Sequence, residues 1–321
     1  MKTLNDYQKT VAESLADWER GLPRNILYEP VKYILSIGGK RMRPVLALMG
    51  AEVFQDDSKA AIPVALGVEI FHNFTLLHDD IMDNAPLRRG ITTVHEKWNT
   101  NSAILSGDAM FVLAVQQVAK TPNNVPESLE LFNKTALEVC EGQQSDMDFE
   151  NRTDVNISEY IEMIRLKTAV LLGCALELGA LAVNAPATEA NKLYVFGENI
   201  GIAFQIMDDI LDAYASEEFG KQKGGDILAL KKTYLMLKAF EKGGKAVEDK
   251  MTSIVKSNLS NENKVRLVLA EFDQLKVADE ARKAMDYYYS LAMDALNSVQ
   301  VKETKKQPLL QLADYLYNRA I

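Results

Sequence analysis

"AIPVALGVEIFHNFTLLHDDIMD", residues 61–83, is the stretch whose reading decides the fold. Its apolar residues return with a helical period along one face, over more turns than a strand could use. The apolar run ends in Asp79, Asp80 and Asp83. In a helix Asp79 and Asp83 stand one turn apart on the same face, and Asp80 is rotated by about 100° to its edge. Like charges on neighbouring turns repel by a few tenths of a kcal/mol per pair. The helix dipole also disfavours negative charge at a C-terminus. A cation held there would relieve both penalties.

The pattern returns further along. "FQIMDDILDAY" (204–214) places Asp208, Asp209 and Asp212 at the same spacing, again where an apolar helix ends. A single copy reads equally well as a solvated acidic helix end. Two copies with the same poor placement favour a hard cation. Mg²⁺ fits, because it takes oxygen ligands from one or two carboxylates together with substrate phosphates and water. The copies serve one substrate only if the fold brings their helices face to face, as helical bundles do for carboxylate metal sites.

Between and around these motifs the helical period dominates. Amphipathic or apolar helices are expected over 11–22, 44–54, 102–120, 126–150, 158–183 with Ser158 as N-cap, 189–214, 233–242 and several segments of the tail. No alternating strand pattern, Pro- or Ser-rich linker or tandem repeat interrupts them. The expectation is an all-α chain, one domain over 1–321, with ten or more helices. The loops near 84–93 and 215–226 are its obvious interruptions.

Composition narrows the function. Of 321 residues, 47% are hydrophobic and 25% charged, and 17 Gly and 9 Pro are few for this length, as helices require. A net charge of −9 argues against a nucleic-acid binder that relies on a broad basic surface. An anionic substrate therefore needs locally placed cations. Cys140 and Cys174 give no disulfide framework and read as two buried thiols in a reducing compartment. "MKTLNDYQKT" lacks a signal peptide's apolar core, and the greasy stretch 168–183 is too short, and too interrupted by Glu177, to span a bilayer. No transmembrane segment and a cytoplasmic location are expected.

The local cations are present. "GGKRMRP" (38–44) sets Lys40, Arg41 and Arg43 behind two glycines that let backbone approach a ligand. A basic loop before a helix is the plainer reading of that stretch alone. Arg88 and Arg89 follow the first acidic cluster, and "FGKQKGGD" (219–226) follows the second. Lys167 and Thr168 interrupt an apolar helix, where a lysine either snorkels to solvent or has a specific task. His72, His78 and His95 are too few for a His/Asp metallophosphohydrolase, and His78 reads as a helix-face residue. No P-loop, dinucleotide fingerprint or nucleophile elbow is present.

Taken together, "GGKRMRP", "LLHDDIMDNAPLRRG", "RLKT", "FQIMDDILD" and "GKQKGGD" resemble the trans-isoprenyl diphosphate synthases in order and spacing, over roughly residues 30–235. The resemblance implies a helical bundle around a deep central cavity, a homodimer, and head-to-tail condensation of isopentenyl diphosphate with an allylic diphosphate. It implies that Asp79, Asp83 and Asp208 bind Mg²⁺, three ions in the closed state, with Asp80, Asp209 and Asp212 supporting the metals. By the same resemblance Arg88, Lys167, Lys221 and Lys231 hold the allylic diphosphate. Gly39, Lys40, Arg43, His72 and Arg89 hold isopentenyl diphosphate. Thr168 and Gln205 lie near the reacting carbons, and the 219–226 loop and Arg319 could close the cavity.

Product length in such enzymes looks to be set by bulk below the first acidic cluster. Phe74 is about 7.5 Å and Phe71 about 12 Å down the helix from Asp79, and Thr75 is small. An aromatic five residues before a D-D-x-x-D without insertion resembles the short-chain synthases that make geranylgeranyl diphosphate. Farnesyl or a longer polyprenyl diphosphate is the alternative, as is a core-packing role for both rings. The remoter rivals are a terpene cyclase, which the second D-D-x-x-D disfavours, and a non-catalytic synthase subunit, which the intact acidic motifs disfavour.

Overall fold

The computed structural model describes residues 2–214 and 224–317. Lys221 and Arg319 lie outside them. The helices run α1 Leu4–Arg20, α2 Glu29–Ser36, α3 Met42–Phe54, α4 Ile62–Met82, α5 Val94–Lys97, α6 Thr100–Val118, α7 Val125–Asn151 and α8 Ile157–Ile164. They continue as α9 Val170–Ala182, α10 Ala187–Tyr214, α11 Gly225–Leu228, α12 Tyr234–Lys256, α13 Asn261–Leu275, α14 Val277–Ser298 and α15 Glu303–Tyr317. Among the described residues strand is confined to Leu87–Arg88 (β1) and Ile91–Thr92 (β2). The all-α expectation holds.

The helix starts follow local chemistry. Thr3 and Asp6 form a reciprocal capping box at α1, and Asn99, Thr233 and Ser260 cap α6, α12 and α13 with side-chain oxygens. Asn156, not Ser158, caps α8, in a second capping box with Glu159. The expected helix over 158–183 is broken by a π-helical turn at Arg165–Ala169, which carries Lys167 and Thr168. Periodicity could not show this turn, since a single extra residue leaves the apolar pattern on both sides intact. Cys174 is buried as expected, but Cys140 is exposed on α7.

Cα proximity divides the chain into two compact units. One comprises Met1–Lys134, Leu171–Tyr194 and Val299–Leu309. Within it α4 is central, packed against α1, α2, α3, α5 and α6. The stretch Lys59–Met82, not the shorter 168–183, is apolar and long enough to cross a membrane by length and composition, yet 61% of its most apolar window is buried inside the protein. The second unit comprises Thr135–Val170, Val195–Ser298 and Leu310–Ile321. Its core joins Ile206, Met207 and Ile210 of α10 to Met163, Leu235, Met251, Val268 and Phe272.

Candidate active site

The first acidic cluster closes α4. Asp83 caps the helix and its N–H donates to the Asp79 carbonyl at 2.9 Å. The chain then reverses through β1 and β2, with Leu87 opposite Thr92 and Arg88 opposite Ile91. Arg89 (φ 53°) and Gly90 (φ 77°) fill the two central positions, the left-handed pair that a type I′ hairpin turn demands. This reversal returns Arg88 over the helix end. Its Nε lies 2.9 Å from both carboxylate oxygens of Asp80, and a terminal nitrogen lies 2.8 Å from Oδ1. Asp80 is buried, Asp79 is half-buried and Asp83 is exposed. The middle aspartate thus anchors an arginine, and the outer pair is the more open to a ligand.

A cluster of arginines surrounds His72 on the same helix. Gly38 (φ 78°), Gly39 (φ 144°) and Arg41 (φ 50°) fold the 38–43 stretch into a tight turn. The Arg89 guanidinium donates to the Gly38 carbonyl, and any side chain at Gly39 would overlap it. Arg43 Nη1 lies 3.1 Å from His72 Nε2. Burial, and then the fields of Arg43, Arg89, Arg88 and Arg41, push His72 well below its usual range. Neutral His72 therefore accepts from Arg43 at Nε2 and carries its proton on Nδ1. Burial lowers Arg43 to about 10, so it stays charged at neutral pH. The local carboxylates are Glu69, which takes Arg41, and Asp80, which takes Arg88. In an acidic chain, this excess of guanidinium suits a multiply charged, bidentate anion such as a diphosphate. Lys40 is exposed at the turn.

The second acidic cluster closes α10. Asp209 accepts from the Tyr160 hydroxyl at 2.6 Å and from the Tyr234 N–H at 2.8 Å. Burial raises its carboxyl to about 7 despite those bonds, with Asp226 adding to the rise and Lys231 opposing it. Asp212 receives the Asp226 N–H at 3.1 Å, which docks the start of α11 onto the end of α10. Asp208 is half-buried and Lys231 exposed. Thr168 and Gln205 are half-buried on the π turn and on α10.

In the same unit the π turn presents Lys167, whose Nζ donates to Asp146 of α7 at 2.5 Å. The turn fits only because α7 offers a glycine there. A Cβ on Gly142 would stand 2.7 Å from the Lys167 Cα and 2.8 Å from the Leu166 carbonyl carbon. These are backbone atoms and cannot rotate away. Gly142→Ala should therefore destabilise by about 1–3 kcal/mol, despite alanine's better helix propensity, and thermal unfolding reads the result. A variant as stable as the wild type would show that the turn can relax.

Below Asp79 an aromatic group lines the first unit. Phe71 is buried and its ring centroid lies 5.6 Å from Phe74, 6.1 Å from Phe111 and 5.4 Å from Phe132. Phe74 is half-buried, 5.7 Å from Phe111 and 4.7 Å from His78. Thr75 returns its hydroxyl to the His72 carbonyl at 2.8 Å. The His78 ring sits over Gly107, where a Cβ would collide with it.

Among the described residues no three His, Cys, Asp or Glu side chains converge to enclose an ion by themselves. Mg²⁺ in phosphate sites does not require that, because phosphate and water oxygens complete its shell. The oxygen donors at the end of α4, and separately those at the end of α10, are of the kind such an ion takes. Sequence reasoning missed several partners: Arg41's clasp by Glu69, Arg88's by Asp80, Lys167's by Asp146, the Tyr160 bond to Asp209, and Phe111 and Phe132. The one usable signal was Glu69, a carboxylate inside an apolar helix.

Comparisons place these features among known proteins. The polyprenyl synthetase family model matches residues 24–272. A geranylgeranyl diphosphate synthase of Methanosarcina mazei is 38% identical over 303 residues, covering 91% of this chain and 90% of that protein. A crystal structure of a geranylgeranyl pyrophosphate synthase matches with a TM-score of 0.92 at 43% identity, over 99% of each chain. Geranylgeranyl pyrophosphate synthase from Corynebacterium glutamicum, solved with calcium and isoprenyl diphosphate, matches with a TM-score of 0.83 at 29% identity, over 99% of this chain and 96% of that one.

Proposed function

We propose that this chain, which belongs to the polyprenyl synthetase family, is a Mg²⁺-dependent prenyltransferase that condenses isopentenyl diphosphate head to tail with allylic diphosphates to make geranylgeranyl diphosphate. The observation that carries the reading is the arginine cluster at His72, on the same helix whose end carries Asp79 and Asp83. His72, Asp79 and Asp83 share one face of α4 by helical spacing; α3 and the hairpin bring guanidinium groups towards His72 for a diphosphate, and the carboxylates offer oxygen ligands for its metal.

In this reading Gly39, Lys40, Arg43, His72 and Arg89 hold isopentenyl diphosphate. Arg88, Lys167, Lys221 and Lys231 hold the allylic diphosphate. Asp79, Asp83 and Asp208 ligate Mg²⁺, with Asp80, Asp209 and Asp212 in support. Three Mg²⁺ ions held there would supply electrostatic stabilisation for the charge that develops on the departing pyrophosphate. Arg88 and the lysines share that charge as the allylic C–O bond breaks. The isopentenyl double bond attacks the resulting carbocation, and pyrophosphate accepts the proton then lost. Apolar helix faces keep water from the cation. The reading takes 1–321 as one catalytic domain working as a cytoplasmic homodimer.

The test incubates the protein with labelled isopentenyl diphosphate, Mg²⁺ and each allylic primer in turn. Elongation to geranylgeranyl diphosphate is expected. No elongation with any primer would overturn the activity, and a different terminal length would overturn only the product.

A further inference from the structure

One carboxylate near the proposed isopentenyl diphosphate site has been given no part in the reaction. Glu69 lies in the middle of α4 and is 2% exposed. Its Oε1 accepts from the Arg41 guanidinium and from Asn73 Nδ2, the latter at 2.8 Å. The other terminal nitrogen of Arg41 donates to the Leu35 carbonyl, in the last turn of α2, where no further helical turn supplies an i+4 donor. Arg41 itself is the residue that opens α3. One guanidinium therefore ties the end of α2, the start of α3 and the middle of α4.

What it ties is a turn in an unfavourable conformation. Arg41 sits at φ 50°, ψ 36°, which costs a non-glycine residue about 1–2 kcal/mol. Its side chain is only 13% exposed and faces Glu69 rather than solvent, so it is poorly placed to take a phosphate itself. On either side of it stand Lys40 and Arg43. Glu69 Oε2 and Arg43 Nε are both buried without a partner. The Glu69 field also supports the charge on Arg43. The same carboxylate thus fixes one arginine and balances the next.

We propose that Glu69 is a positioning residue: by clasping Arg41 it holds the 38–43 turn in the form that offers Lys40 and Arg43 to isopentenyl diphosphate. The identity of the anion rests on the reading above; the clasp rests on geometry alone. Losing the clasp moves the ordering of the turn into the binding step. Affinity for this one substrate falls, and the other substrate is little affected.

The experiment compares Glu69→Ala, Arg41→Ala and the double variant with the wild type. Each should raise KM for isopentenyl diphosphate about tenfold or more, while KM for the allylic primer moves less than about twofold and kcat falls far less than KM rises. The double variant should be no worse than Glu69→Ala, because the two residues act as one unit. Calorimetric binding of inorganic pyrophosphate in Mg²⁺-free buffer reads the turn without turnover, and should weaken by a similar factor in all three. Arg41→Ala keeps the test open should Glu69→Ala fail to fold. Equal rises in both KM values, a fall in KM for isopentenyl diphosphate, or additive losses in the double variant would each overturn the clasp. If the wild type does not condense its substrates but the variants still weaken pyrophosphate binding, the prenyl transfer reading falls and the clasp stands.

Discussion

An Asp209→Asn variant should be more stable than the wild type at pH 8 in metal-free buffer, and should turn over far more slowly. Burial raises the Asp209 carboxyl from 3.8 to about 7. Between those values the unfolded chain has released the proton and the folded chain still holds it. Stability therefore falls as pH rises through that window and levels off above pH 7. Above that window the folded, metal-free protein carries the cost of an ionised carboxylate that burial disfavours. Asparagine removes the titration. Its amide oxygen can still accept both the Tyr160 hydroxyl and the Tyr234 N–H, which converge on one oxygen of Asp209. Thermal unfolding of both proteins from pH 4 to pH 8 should show the melting temperatures diverging as pH rises. Mg²⁺ with pyrophosphate should stabilise the wild type more than the variant. If Asp209 supports a metal as proposed, activity should fall about 10- to 100-fold. A variant less stable than the wild type at pH 8 would show that the buried charge is already well compensated.

The same carboxylate shows where sequence reading reached its limit. The D-D-x-x-D spacing located Asp209 at the end of a helix, and the metal chemistry assigned to its group stands as a proposal. The spacing set the middle aspartate about 100° off the face of the other two only where helical geometry applied, and it could not show what each aspartate touches. Asp209 is distinguished by Tyr160 and Tyr234, and Asp80 by Arg88 returning through a hairpin turn. Local patterns show up in one sequence because helical period, caps and charge spacing involve residues three or four apart. Partners 28 to 49 positions away, such as Arg41 with Glu69 or Tyr160 with Asp209, leave no such pattern. The π turn at Arg165–Ala169 escaped for another reason. It adds one residue to a helix whose apolar faces remain in place on either side, and its mark is a glycine on a different helix, Gly142.

Phe74→Ala should lengthen the product, and the aromatic packing explains why Phe74 rather than Phe71 is the residue to change. Both rings lie on α4 below Asp79, where a chain growing away from the diphosphate would run. Phe71 is 1% exposed and meets Phe74, Phe111 and Phe132, so truncating it should cost about 3–5 kcal/mol of stability. Phe74 is half-buried, and its removal opens space with a smaller loss of packing. Phe111 then becomes the next barrier, since its ring lies 5.7 Å from Phe74 on the neighbouring α6. Phe74→Ala alone should shift the labelled product beyond geranylgeranyl diphosphate, and Phe74→Ala with Phe111→Ala should shift it further. Chromatography of the labelled, dephosphorylated products reads both. An unchanged length in Phe74→Ala would place the floor elsewhere and leave the condensation chemistry intact. A shift that appears only in the double variant would make Phe111 the floor and Phe74 part of the wall.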